Sequence, residues 1–159
     1  MGQTLQNLLD EYGESHKNAL NKTIHWVCVP LIFFSIVALI YSIPSGLLTG
    51  ILGESIVANW ATLTLVVVLI YYMRLSPSIA VGMMIFGAVC LFTCHWLVVA
   101  FSTPLWIIAL VIFVAAWAGQ FYGHKVEGKK PSFLKDLQFL LIGPAWLMHF
   151  LFEKWSLKY

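Results

Sequence analysis

Charge is scarce in this chain. Only 10% of its 159 residues are charged, while 60% are hydrophobic. Soluble domains carry about 25% charged residues, so an ordinary soluble domain is excluded. No Lys/Arg run interleaved with aromatics lies outside the apolar segments. A nucleic-acid partner is therefore not expected. Cysteine is also scarce. Cys28, Cys90 and Cys94 sit in apolar runs and form no CxxC pair, which argues against a zinc knuckle or a dithiol redox motif. Cys90 and Cys94 read as small core-filling side chains on one helical face. Internal repeats and low-complexity segments are lacking. The first 23 residues are polar and carry acids, so a cleavable signal peptide is not expected.

Long apolar runs dominate what is present. The length suits one domain, residues 1–159. The expected class is all-α: a polytopic membrane helix bundle with four transmembrane helices, an N-terminal amphipathic helix and a C-terminal re-entrant or interfacial segment. Leu5, Leu8, Leu9 and Tyr12 follow the i, i+3, i+4, i+7 pattern of the amphipathic helix, between Thr4 and Gly13. The expected spans are 24–43, 56–73, 78–101 and 105–122. Each is near the roughly 20 residues that cross ~30 Å of hydrocarbon. Pro30 falls inside the first and is expected to kink it. Trp26, Trp60, Trp106, Tyr41, Tyr71, Tyr72 and Tyr122 lie near span ends, as an interfacial aromatic belt requires. The run 137–152 is shorter and is interrupted by Gly143-Pro144, which suggests a re-entrant hairpin or a bent interfacial helix.

Basic residues orient the chain. Lys17 and Lys22 precede the first span, Arg74 follows the second, and Lys125, Lys129, Lys130 and Lys135 follow the fourth. The two intervening connections have no Lys or Arg. Under the positive-inside rule both termini are cytoplasmic, in a bacterial inner membrane or the endoplasmic reticulum.

This topology gathers histidines. His16 and His25 fall at the cytoplasmic start of span one, and His124 at the cytoplasmic exit of span four, with Glu127 close behind. Imidazole is the commonest protein metal ligand. Imidazoles with a carboxylate and open positions suit non-haem Fe(II) and O₂ chemistry. The same donors could hold Zn²⁺ and activate water. His16 and His25 are nine residues apart, about 180° around a straight helix. Both can face one site only if the chain turns between them, and Asn18 and Asn21 are plausible turn or cap residues. A re-entrant fifth run would return His149 to the same rim as a further ligand. His95 is expected to bond a neighbouring helix. Glu127 reads equally as a ligand and as a solvated acid paired with a lysine.

The pattern His16-Lys17-Asn18-Ala19-Leu20-Asn21-Lys22-Thr23-Ile24-His25, followed by Val29-Pro30, resembles an HxNxxNxxxH…P motif. Gln120-Phe121-Tyr122-Gly123-His124, then Glu127 and Lys130-Pro131, resembles its QFxGH…E…xP partner. Gly143-Pro144-Ala145-Trp146 resembles a closing segment. Together these are similar to the 2-hydroxy fatty acid dioxygenase family of the fungal endoplasmic reticulum and of bacteria. The resemblance covers residues 1–155. It implies Fe(II)-dependent α-oxidation of a 2-hydroxy fatty acid by O₂, giving CO₂ and an acid one carbon shorter. It implies metal binding by His16, His25 and His124, to which His149 is added as a candidate ligand. Glu127 and Lys130 become candidate catalytic residues, with Lys125, Lys129 or Lys130 receiving the substrate carboxylate. Two other readings remain: a zinc-dependent membrane lipid hydrolase, and a non-catalytic lipid-binding membrane protein.

The lysine alternation predicts that a reporter fused at Tyr159 reads cytoplasmic. A periplasmic or lumenal signal would mean that Leu137–Phe152 crosses the membrane.

Overall fold

The computed structural model describes residues 5–53, 55–128 and 139–156. Among these the fold is all-helical, with seven helices and no strand: α1 (Leu5–Gly13), α2 (Ala19–Tyr41), α3 (Gly46–Leu52), α4 (Trp60–Leu75), α5 (Pro77–Ala100), α6 (Leu105–Val126) and α7 (Ile142–Lys154).

Local chemistry sets the helix limits. The Asn18 side chain accepts from the backbone N–H of Leu20 at 2.9 Å and of Asn21 at 3.4 Å, capping α2. The helix thus starts ahead of Ile24 and carries His25 in its second turn. Pro30 is accommodated inside α2, which remains one helix. Asn59 accepts from Thr62 N–H at 2.9 Å and starts α4 at Trp60. Ile56, Val57 and Ala58, expected inside the second span, therefore lie in the turn before it. Ser76 accepts from Ile79 N–H and caps α5, with Pro77 in the first turn, where no N–H is needed. α6 continues past Tyr122 to Val126, so His124 sits on the helix and not beyond its end.

Gly143-Pro144 falls at the start of a helix. Both residues lie in the first turn of α7, and the N–H groups of Ile142 and Gly143 donate to Phe139 O. A first-turn proline forfeits no helical hydrogen bond. The pair opens α7. Residues 137–138, at the head of the expected fifth run, lie outside the described residues.

The long helices alternate in direction. Trp60 Nε1–H donates to Pro44 O at 3.1 Å, tying the start of α4 to the end of α2. At the other end Tyr72 Oη–H donates to Leu141 O, tying α4 to the turn before α7. Three helices, α2, α5 and α6, are long and apolar enough to cross a membrane. α4 has 16 residues, about 24 Å of rise, and falls short of that length. The expected four spans thus become three helices of spanning length plus one shorter apolar helix. Val67, Phe92, Val99, Val111 and Val114 are exposed on the bundle exterior, as suits a lipid-facing wall. His95 is exposed near the far end of α5, not buried between helices.

α2 is central, touching α4, α5, α6 and α7, with α6 as its largest partner. Small residues permit that close approach. A Cβ on Gly119 would stand 2.6 Å from Cys28 Sγ, and one on Gly123 would strike the Asn21 side chain. α1 buries Leu5, Leu9 and Tyr12 and packs against α7.

Gly119→Ala should therefore cost about 1–3 kcal/mol through overpacking, read as a lower Tm in detergent. Adding Cys28→Ala removes the obstructing sulfur and should recover most of the loss. A double variant no more stable than Gly119→Ala would refute the contact.

Candidate metal centre

Three imidazoles from distant parts of the sequence meet where α2 begins and α6 ends. His16 comes from the turn after α1, His25 from α2 and His124 from α6. They are 3%, 1% and 5% exposed. One nitrogen of each lies within 4.8 Å of the others. Ring centroids are 4.2 Å apart for His16 and His25, 5.1 Å for His25 and His124, and 5.6 Å for His16 and His124.

Backbone carbonyls orient two of the rings. His16 Nδ1 is 2.6 Å from Tyr12 O, and His25 Nδ1 is 2.9 Å from Asn21 O. A carbonyl only accepts, so each Nδ1 must carry the proton and donate it. Each Nε2 then holds its lone pair, which is the tautomer a metal needs. Each bond joins a histidine to the residue four before it, the backbone offset of one helical turn.

The turn that makes convergence possible is held from α6. Glu127 caps that helix, and its carboxylate accepts from Lys17 N–H at 2.8 Å, Asn18 N–H at 2.9 Å and Asn21 Nδ2 at 3.0 Å. Asn21 Nδ2 also donates to Ser15 O at 3.2 Å. Partial burial pushes the Glu127 carboxyl up, but these hydrogen bonds outweigh it and hold the group below its ordinary value. Glu127 is ionised at neutral pH. Its oxygens serve the 15–21 segment, and it does not belong to the three-imidazole group.

His149 is likewise outside that group. It lies on α7, with Nε2 3.5 Å from Glu153 Oε2. It does share the wall of an open cleft of about 340 Å³ with His16, Lys17 and Lys22. Lys125 is exposed one residue beyond His124. Lys130 lies outside the described residues.

Two aromatic neighbours complete the site. Tyr12 stacks on His16 with centroids 4.2 Å apart and planes 15° apart, and Trp146 stands 5.3 Å from the same ring. Both are buried, at 7% and 4% exposure. Sequence reasoning placed Tyr12 only on an amphipathic stripe and gave Trp146 no role. The Tyr12–His16 spacing of four was an available signal. Trp146 had none, because its approach depends on the docking of α7.

The donor set suits a transition metal: three buried imidazole nitrogens within 4.8 Å of one another, two of the rings held with Nδ1 protonated. Fold and site thus define an all-helical protein with membrane-length helices and a buried histidine triad. The chain belongs to the 2-hydroxy-palmitic acid dioxygenase Mpo1-like family, whose profile matches residues 2–155. No curated protein and no solved structure gives a significant match.

Glu127→Ala should release the 15–21 turn and cost about 2 kcal/mol, reduced by the group's partial exposure. Glu127→Gln should cost less, because its one carbonyl oxygen can still accept from Asn18 and Asn21. Equal Tm values for wild type and Glu127→Ala would show that the latch contributes nothing.

Proposed function

We propose that this chain is an integral membrane Fe(II)-dependent dioxygenase with both termini cytoplasmic. It takes a 2-hydroxy fatty acid and O₂ to a fatty acid one carbon shorter, CO₂ and water. The balance is R–CH(OH)–COOH + O₂ → R–COOH + CO₂ + H₂O. One observation carries this reading: a buried triad of imidazoles stands at the end of an apolar helix bundle, in a member of a family named for this activity.

His16, His25 and His124 would hold the metal. Bound there, Fe(II) supplies open positions for the oxygens of an α-hydroxy acid and for O₂. The protein supplies the rest. Tyr12 O and Asn21 O keep two donors in the required tautomer. Tyr12 and Trp146 cover His16 and limit water at the ring. Glu127 acts as a positioning residue that keeps His16 beside His25. The cleft at the rim carries Lys17 and Lys22 beside Asp10 and Glu14, so either lysine could pair with a carboxylate there, and Lys130 is assigned the same task. The 2-hydroxyl would be required as the second oxygen donor beside the carboxylate.

Protein purified anaerobically in detergent should contain about one iron per chain, one for its histidine triad. His16→Ala, His25→Ala and His124→Ala should each lose most of it while remaining folded. With air, 2-hydroxypalmitate should yield pentadecanoate, and palmitate should be turned over poorly. Stoichiometric zinc without O₂ consumption would favour the hydrolase reading. No stoichiometric metal would favour lipid binding without catalysis.

A further inference from the structure

Below the triad, α2 and α6 present side chains that are mostly apolar, with the buried Gln120 amide among them. On α2, His25 is followed at helical spacing by Val29, Ile32, Ile36 and Ile40 on the same side. On α6, Gln120 and Trp117 lie one and two turns below His124. Between these faces is a small cavity of about 30 Å³, walled by Tyr12, Val29, Ile32, Gln120, Leu140 and Gly143. That is room for about two water-sized groups. Gly143 keeps it open: a Cβ there would approach Tyr12 Oη to 3.0 Å and Val29 Cγ1 to 3.2 Å.

Leu140 walls this neck and also a second cavity. That space, about 340 Å³, lies between α2 and α4 and is lined by Phe33, Ile36, Ile40, Thr64 and Val68 among others. A third cavity of about 160 Å³ shares Phe33, Leu65 and Val68 with it and reaches α5. The larger space offers a guest almost no polarity. Its one lining hydroxyl, Thr64 Oγ1, donates to Trp60 O at 2.9 Å. From His25 to Ile40 the helix rises about 22 Å, the reach of an extended long-chain acyl group.

We propose that these spaces form the acyl-tail site. A single unbranched alkyl chain runs from the triad down α2, through the neck at Val29, Leu140 and Gly143, and ends in the α2–α4 cavity. The neck selects straight chains over branched or ring-bearing ones, and the floor near Ile36, Ile40 and Thr64 sets the preferred length. This rests on the reading of the site as acting on a 2-hydroxy fatty acid. The occupant follows from continuity: the neck begins at Tyr12, which stacks on His16, and shares Leu140 with the cavity.

A sixteen-carbon 2-hydroxy fatty acid bearing a terminal diazirine tests the path without requiring turnover. Photolysis with detergent-purified protein should label α2 near Ile36–Ile40 and α4 near Thr64–Val68. Labelling should saturate and be displaced by excess 2-hydroxypalmitate. Ile36→Trp and Thr64→Trp should abolish the labelling and move the chain-length preference several carbons shorter, with metal content unchanged. Ile107→Trp, outside the cavity walls, should change neither. Non-saturable labelling spread over outward positions such as Val67, Val99 and Val111 would mean that ordinary lipid fills the groove, and the proposal fails. Saturable labelling in a metal-loaded protein that never shortens its substrate would leave the tail site standing and remove the dioxygenase reading. Turnover with labelling elsewhere would do the reverse.

Discussion

The carboxylate of Glu127 is the point on which the rest of the site depends. It joins residues more than a hundred positions apart, accepting from Lys17, Asn18 and Asn21 at 2.8–3.0 Å. Two of the groups it satisfies are backbone N–H groups of the turn that leads into α2, and the third is the Asn21 side-chain amide. An acid at a helix C-terminus is electrostatically unfavourable for that helix. The cost is offset because the same charge meets the N-terminus of α2, where a negative group is favoured. One side chain thereby fixes how α2 begins relative to how α6 ends.

Close contact of α2 with α6 is the second requirement. Apolar surface alone gives little specificity between helices surrounded by lipid, so shape and small residues decide which helices meet. Gly119 and Gly123 make a notch one turn apart, filled by Cys28 and Asn21. The notch places Asn21 where its amide reaches both Glu127 and Ser15. Packing and hydrogen bonding therefore enforce the same register. That register is also the one that sets His25 opposite His124.

The site is amphipathic in the same sense as its proposed substrate. Toward the rim, Lys17, Lys22, Asp10 and Glu14 line an open cleft that reaches His16. Toward the bundle interior, the surroundings are Val29, Ile32, Leu140 and the α2–α4 cavity. A metal held between these halves would sit at a boundary of polarity, with a charged head on one side and an alkyl chain on the other.

Much of this was legible in the amino-acid order. Hydropathy and length specified apolar helices, because backbone groups in lipid must be satisfied within the segment. The nine-residue separation of His16 and His25 required a break, and Asn18 supplies it as the cap of α2. Charge alternation and helix count placed His124 near that break. Other features needed the folded chain. The 16-residue length of α4 follows from Asn59 capping it late, a choice among several possible starts. Gly143-Pro144 can end a helix or begin one, and only the docking of α7 against α1 and α2 decides which. Glu127, one turn from His124, read equally as a ligand and as a solvated acid, and only the fold shows its oxygens accepting from backbone amides of a segment over a hundred residues away. Trp146 reaches His16 only through that same docking. Sequence order by itself determined which residue types could stand at the rim and at what helical spacing. Tertiary packing decided which of them face one another, because direction in space depends on contacts between elements that the order of residues does not contain.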